Sequence, residues 1–315
     1  MSASSPTPRS LSLVTMAGLP DYALLDSGHG RKLERFGSYV FDRPEPQAMW
    51  QQHLPPGTWL RADATFKDGG KDGGKDSAKD AGDDDGEAGR WRFTKPLPAT
   101  WPVEVMAVTL QCRLMNFRHL GLFPEQVPHW QWMTEQIASI CGEQPRVLNL
   151  FAYTGAASLI AARAGADVTH VDASKKAIGW AKENQAASQL KDAPLRWILE
   201  DARTFVARQV RRGTTYHVIL VDPPKFGRGP EGEVWDFFTH MPQLLRDCTQ
   251  LLAPKDASLI LTSYAIRASA LAIDGLAREC LDGRPGTFDT GELALIETGS
   301  QRLLPTSLFT RWSAL

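Results

Sequence analysis

The 315-residue chain has only four cysteines, Cys112, Cys141, Cys248 and Cys280, scattered without a C-x-x-C pair or a Cys/His cluster. Such spacing indicates neither a disulfide scaffold nor a metal site, and a reducing cytoplasm is the expected compartment. No apolar run approaches the ~20 residues needed to span a bilayer. The first ten residues lack the long apolar core of a secretory signal. An excess of charge of one sign is also missing, since 35 Lys and Arg against 36 Asp and Glu leave a formal net charge of −1. With no global basic field to attract phosphates, any nucleic-acid site has to be local. What the chain does have is apolar residues, 43% of the total, enough to bury a full core in one large or two modest domains.

One further absence is informative. Residues 147–155 read Val-Leu-Asn-Leu-Phe-Ala-Tyr-Thr-Gly, an apolar strand ending in a loop that holds only Gly155 before a helix. The Gly-x-Gly-x-x-Gly pattern that seats a pyrophosphate on a helix N-terminus is not there, which argues against a dinucleotide. A second apolar run, 167–172, ends in Asp172 roughly 20 residues after that loop, the spacing by which a βαβ unit sets a carboxylate against the hydroxyls of a bound ribose. A third, 218–224, reads Val-Ile-Leu-Val-Asp-Pro-Pro. An adenosine-bearing cofactor without phosphates fits this set, and S-adenosylmethionine is such a cofactor.

Composition divides the chain at two places. From Lys67 to about Gly89 runs a Gly/Asp/Lys tract that cannot form a packed core. It is flanked by alternating segments, 59–66 and 90–94, so it reads as a long loop joining two strands of a β-rich N-terminal region, 1–100. From 101 to 315 the pattern is that of an α/β domain. A helix is expected over 128–141, then strands over 146–151, 167–171, 195–199, 217–221 and 258–262, alternating with helices over 155–163, 174–188, 202–211 and 235–252. That alternation predicts a mostly parallel sheet with right-handed crossovers, and two further strands, 291–296 and 307–312, predict an antiparallel closing edge.

Five motifs in order, Phe-x-Tyr-Thr-Gly at 151–155, Val-Asp-Ala-Ser at 171–174, Ala-Lys-Glu-Asn at 181–184, Glu-Asp-Ala at 200–202 and Asp-Pro-Pro-Lys-Phe at 222–226, resemble the class I S-adenosylmethionine-dependent methyltransferases. Within that class the similarity is to the bacterial 23S rRNA cytosine-C5 and guanine methyltransferases, over about 117–262. The resemblance implies a Rossmann-like methyltransferase sheet. It assigns Phe151, Tyr153, Thr154 and Gly155 to the methionine part of the cofactor, and Asp172 with Ala173 to the ribose. Asp201 and the Ala202 N–H fall to the adenine. It also makes the 117–126 segment a lid, with Phe123, Pro124 and Gln126 near the methionine end. Each acid has a plainer reading as a helix N-cap, and for Asp201 the two roles can coexist.

Asp222-Pro223-Pro224-Lys225-Phe226 reads as the reaction loop, because it leaves its strand at the carboxyl edge where open α/β sheets bind ligands. Two prolines hold the backbone extended. The Asp222 carboxylate, also counted among the cofactor contacts, can accept a proton-bearing nitrogen of a planar base while Phe226 stacks on its face. The cytosine-C5 relatives have a Ser-Cys pair after the fifth strand, whereas the corresponding stretch here is Leu-Thr-Ser-Tyr-Ala-Ile at 261–266. Without a thiolate to add to a ring carbon, a nitrogen target is chemically easier. The expectation is a cytoplasmic methyltransferase acting on RNA, in particular ribosomal RNA, through the basic clusters Arg31/Lys32/Arg35, Arg208/Arg211/Arg212 and Lys225/Arg228. A methyltransferase of a protein side-chain amide or a small molecule, and a non-catalytic RNA assembly factor, are the alternatives.

Overall fold

Short apolar strands separated by amphipathic helices become one sheet whose order determines where a ligand can sit. The computed structural model describes residues 9–16, 18–68, 89–264 and 266–314. Most of the Gly/Asp/Lys tract therefore lies outside the described residues. After strand β1 (Ser12–Met16) comes a five-stranded sheet of β2 (Tyr22–Gly28), β3 (Arg31–Phe36), β4 (Tyr39–Pro44), β5 (Ala64–Asp68) and β6 (Gly89–Phe93), in that order. Helix α1 (Pro56–Trp59) precedes β5, and the hairpin β7 (Trp101–Val105) and β8 (Val108–Cys112) follows β6. Helix α2 (Val127–Ser139) leads into β9 (Arg146–Leu150), α3 (Ala156–Arg163), β10 (Asp167–Asp172), α4 (Lys175–Ala187), β11 (Leu195–Leu199), α5 (Ala202–Arg212) and β12 (Val218–Val221). A small hairpin, β13 (Phe226–Arg228) and β14 (Val234–Asp236), then α6 (Phe237–Gln250), β15 (Ser258–Tyr264), α7 (Ala270–Cys280), β16 (Thr287–Ile296) and β17 (Leu303–Ser313) complete the order.

The eight-stranded sheet runs β1-β16-β17-β15-β12-β9-β10-β11. Strands β15, β12, β9, β10 and β11 are parallel, and β17 lies antiparallel to both β15 and β16. This is the Rossmann-like methyltransferase sheet expected from the sequence, with its antiparallel closing strand. Strand order reverses between β9 and β12, and the crevice beyond the carboxyl ends at such a switch point is where open α/β sheets hold ligands. Strand β1, from the N-terminal side of the expected boundary near residue 100, pairs in parallel with β16. Trp59 lies in α1 and not in a strand, because Pro56 occupies the first helical position and preset φ favours the turn.

Two apolar cores cover the two faces. One, with Leu148, Leu150, Val221, Phe205 and Leu245, packs α5, α6 and α7 on the sheet. The other joins Val147, Ile160 and Met133 to Phe41, Trp101 and Phe36, so the N-terminal sheet shares a core with the α/β layer. Helix α3, Ala-Ala-Ser-Leu-Ile-Ala-Ala-Arg, can lie close against the sheet because its side chains are small, and its first seven residues are buried. No helix among the described residues is long and apolar enough to cross a membrane.

A buried ionic cluster sits inside the N-terminal sheet. Glu34 is 0% exposed and accepts from the Tyr22 hydroxyl at 2.8 Å and from Arg43 Nε at 2.9 Å. Arg43 also donates to the Arg118 carbonyl at 3.0 Å, tying the sheet to the segment ahead of α2. Burial alone would raise the Glu34 carboxyl, but Arg43 and Lys32 hold it below its ordinary pKa. Glu34→Ala leaves a buried guanidinium uncompensated and is expected to cost about 3–5 kcal/mol in urea unfolding. A loss under about 1 kcal/mol would contradict the cluster's role as a structural anchor.

Candidate functional site

The floor of the site is a strained turn. Where β9 ends, Phe151 and Tyr153 take φ of 55° and 49°, and Gly155 takes 83° as the cap of α3. A non-glycine residue in the left-handed region costs on the order of 1–2 kcal/mol, so the turn needs external partners. Asp172 Oδ2 accepts the Tyr153 N–H at 2.8 Å, the Asn184 amide donates to the Thr154 carbonyl at 2.9 Å, and the Thr154 hydroxyl donates to the Gly121 carbonyl at 2.6 Å. Gly121, with φ of +99°, has Trp180 where a Cβ would go, 2.2 Å away, which lets the 117–126 segment close down on the turn. Phe123 packs on Tyr153 with ring centroids 5.8 Å apart, and Tyr153 on Trp180 at the same distance.

Asp172 uses its other oxygen, Oδ1, to accept the Ser174 N–H at 2.8 Å. Each carboxylate oxygen keeps a second lone pair, enough for two hydroxyl donors. Burial raises its carboxyl pKa while the two N–H donors oppose the rise. Asp201 caps α5, accepting the Thr204 N–H at 3.0 Å, with Arg203 Nε at 3.4 Å. Ala202 is the first residue of that helix.

At the end of β12 stands Asp222. Gln126 Nε2 donates to its Oδ2 at 3.3 Å, and its Oδ1 is shielded from water with no hydrogen-bond partner. Burial first, and then the nearby Glu125 carboxylate, push the Asp222 carboxyl up to about 7. The following prolines are held by the Trp235 indole, which donates to the Pro224 carbonyl at 2.7 Å. Phe226 is 38% exposed at the start of the β13/β14 hairpin, with Lys225 Nζ 4.9 Å from its ring centre.

A cavity of about 1000 Å³ gathers these groups. Its walls include Phe123, Gln126, Phe151, Tyr153, Thr154, Asp172, Ala173, Asp201, Ala202, Asp222, Pro223, Pro224 and Phe226. Gly155 stands behind the wall, its role being the left-handed cap of α3. Glu125, Tyr264, Trp180 and Trp235 also line the cavity and were not singled out in the sequence; for Glu125 the only signal was its neighbour Gln126. None of the four cysteines lines it, and burial pushes the Cys112 thiol up to about 12. The basic clusters are largely committed within the protein. Arg31 pairs with Asp42 at 2.6 Å, Lys32 lies 3.4 Å from Glu45, Arg35 donates to two carbonyls, and Arg208 binds Glu200. Arg211 and Arg212 remain exposed in the last turn of α5.

An aromatic-walled crevice at a switch point, with one carboxylate at the end of β10 and another beside two prolines at the end of β12, suits an adenosine cofactor carrying a reactive group. A family model for the S-adenosylmethionine-dependent methyltransferases matches residues 79–285, and the chain belongs to that family. A solved S-adenosylmethionine-dependent methyltransferase from Agrobacterium tumefaciens is 47% identical, covering 98% of this chain and 95% of that one at a TM-score of 0.89. Curated relatives include the ribosomal RNA large subunit methyltransferase K/L of Pseudoalteromonas atlantica, 34% identical over 52% of this chain and 22% of the relative. The protein of the same name from Shewanella frigidimarina is 36% identical over 48% and 20% respectively. The chain thus spans about a fifth of the length of these curated relatives. Its cofactor is S-adenosylmethionine, and the spare lone pairs of Asp172 fit the two hydroxyl donors of that molecule's ribose.

The raised Asp222 pKa has a consequence for stability. Between its unfolded value of 3.8 and about 7, the folded chain binds more protons at this site than the unfolded chain, so this group's contribution to stability falls as pH rises through that window. Asp222→Asn removes the penalty, and its melting temperature should gain on the wild type from pH 4 to pH 8. A difference that is flat with pH would show that Asp222 ionises normally.

Proposed function

We propose that this methyltransferase acts on a base nitrogen of RNA, in particular ribosomal RNA in the cytoplasm. The observation that carries the reading is the Asp222 carboxyl beside Pro223 and Pro224 in the cavity wall, one oxygen held by Gln126 and the other without a hydrogen-bond partner among the described residues. The names of the curated relatives support ribosomal RNA as the substrate class.

When bound, S-adenosylmethionine supplies a methyl group on a sulfonium, which a nitrogen lone pair can attack in line. Asp172 and Ala173 would hold its ribose, Asp201 and Ala202 its adenine, and Phe123, Gln126 and the 151–155 turn its methionine part. The chain's own work is then alignment and exclusion of water. Asp222 accepts the substrate N–H, orients the nitrogen, and takes the proton that nitrogen sheds once methylated. With a pKa near neutrality it can do both. Phe226, exposed at the cavity mouth, offers a face for the base. A thiolate route to a ring carbon is disfavoured, because every cysteine lies away from the cavity.

Labelled S-adenosylmethionine offered to RNA, protein and small-molecule fractions of cells lacking the protein should mark RNA. Asp222→Ala should lower turnover by roughly 100-fold or more with cofactor affinity largely intact, since a lost orienting contact acts on the aligned state. Replacing all four cysteines should leave most of the turnover. A thiol-dependent covalent adduct with 5-fluorocytosine-containing RNA, abolished by one cysteine change, would contradict the nitrogen target.

A further inference from the structure

Beneath the reaction loop lies a run of polar side chains, of which Glu125 and Tyr264 have no part in the cofactor site described above. Glu125 and Gln126 are each 5% exposed, in the single 3-10 turn Pro124–Gln126 ahead of α2. Tyr264 ends β15, within the cysteine-free stretch 261–266. The Tyr264 hydroxyl donates to Glu125 Oε1 at 3.0 Å and accepts from Gln126 Nε2 at 3.0 Å, while the same amide nitrogen donates to Asp222 Oδ2 at 3.3 Å. The bonding is directional: a hydroxyl has one hydrogen and an amide nitrogen two, so committing them to Glu125, Tyr264 and Asp222 leaves no freedom to swap partners. One edge of Asp222 is held and the other, Oδ1, is left.

Burial raises the Glu125 carboxyl pKa, with Lys32 opposing the rise, and an apolar residue at 125 would fill the space without that cost, so the carboxyl calls for a use. We propose that Glu125 is a positioning residue for methyl transfer, which through Tyr264 and Gln126 fixes the orientation of the Asp222 carboxyl in the cavity wall. This rests on the reading that Asp222 meets the substrate. Two buried carboxylates in one site also share protons, so the charge of Asp222 depends on Glu125. The groups acting on Glu125 are Lys32 and Glu34 from β3, Tyr264 from β15 and the Asp222 carboxylate, with Arg43 and Tyr22 of the N-terminal sheet in the same field. Lys32 and Arg43 themselves line the cavity. The N-terminal sheet therefore reaches the reaction loop electrostatically, through Glu125.

The test uses the full chain labelled with ¹³C at aspartate carboxyls, with Asp222→Asn to assign the resonance. In Glu125→Gln the Asp222 titration midpoint should fall by about one pH unit or more, as expected when a nearby negative charge is removed. Tyr264→Phe, which breaks both of the hydroxyl's bonds, should lower turnover on RNA about tenfold and leave the dissociation constant for S-adenosylmethionine within about twofold. Glu125→Gln, which keeps an acceptor for Tyr264, should retain more turnover than Glu125→Leu. An Asp222 midpoint unmoved in Glu125→Gln, or wild-type turnover in Tyr264→Phe, overturns the proposal. If Glu125→Gln does not fold, Tyr264→Phe decides by its turnover and its dissociation constant for S-adenosylmethionine. The titration needs no RNA: a shifted midpoint with no methylation of RNA would sink the substrate reading alone, whereas methylation with an unmoved midpoint would sink this one.

Discussion

The hydrogen bond from the Tyr153 N–H to the Asp172 carboxylate is the contact on which the site is built. Without it the turn from Phe151 to Gly155, with two non-glycine residues at positive φ, has no reason to leave its strand so sharply. The sharp exit turns Thr154 towards Gly121 and Asn184, and thereby draws the 117–126 segment over the cavity. That segment brings Gln126 to Asp222, 96 residues away in sequence. Two strand ends of the sheet and one covering segment are locked by three short hydrogen bonds and the packing of Trp180 into the space beside Gly121.

The N-terminal sheet is a second wall of the same cavity. Its charged residues, which read in sequence as a basic patch for a polyanion, are spent on Glu34, Glu45 and Asp42. The core that it shares with the α/β layer, from Phe41 and Trp101 to Val147 and Ile160, makes the two parts mechanically continuous. Among the described residues no hydrogen bond joins a side chain of that sheet to Asp222, so any coupling between them has to run through the shared core and Glu125.

Much of the fold was legible because periodicity is local. Strands β9, β10, β12 and β15 are apolar runs bounded by turn residues, and Ser174 and Asp201 sit where helix caps belong. The acids at the strand ends could be read for the same reason. Glu125 and Tyr264 could not, since their partnership spans 139 residues and nothing local distinguishes Tyr264 from a strand-end aromatic. The β13/β14 hairpin escaped notice because its two strands are three residues each and its loop is punctuated by Gly229 and Gly232. Trp59 misled in the other direction: the alternation over 59–66 suggested a strand, but Pro55 and Pro56 start a helical turn first. Of the basic residues, Arg31, Lys32 and Arg208 turn out to be paired with carboxylates, because pairing is a tertiary property, invisible in a count of charges.

A crystal structure of the full chain with S-adenosylhomocysteine tests the central claim most directly. The account predicts both ribose hydroxyls within hydrogen-bond distance of Asp172, the sulfur at the Asp222-Pro223-Pro224 loop, and the 151–155 turn with Tyr153 still bonded to Asp172. A ligand seated away from Asp172, or a turn that relaxes Phe151 and Tyr153 to negative φ when the ligand binds, would contradict it.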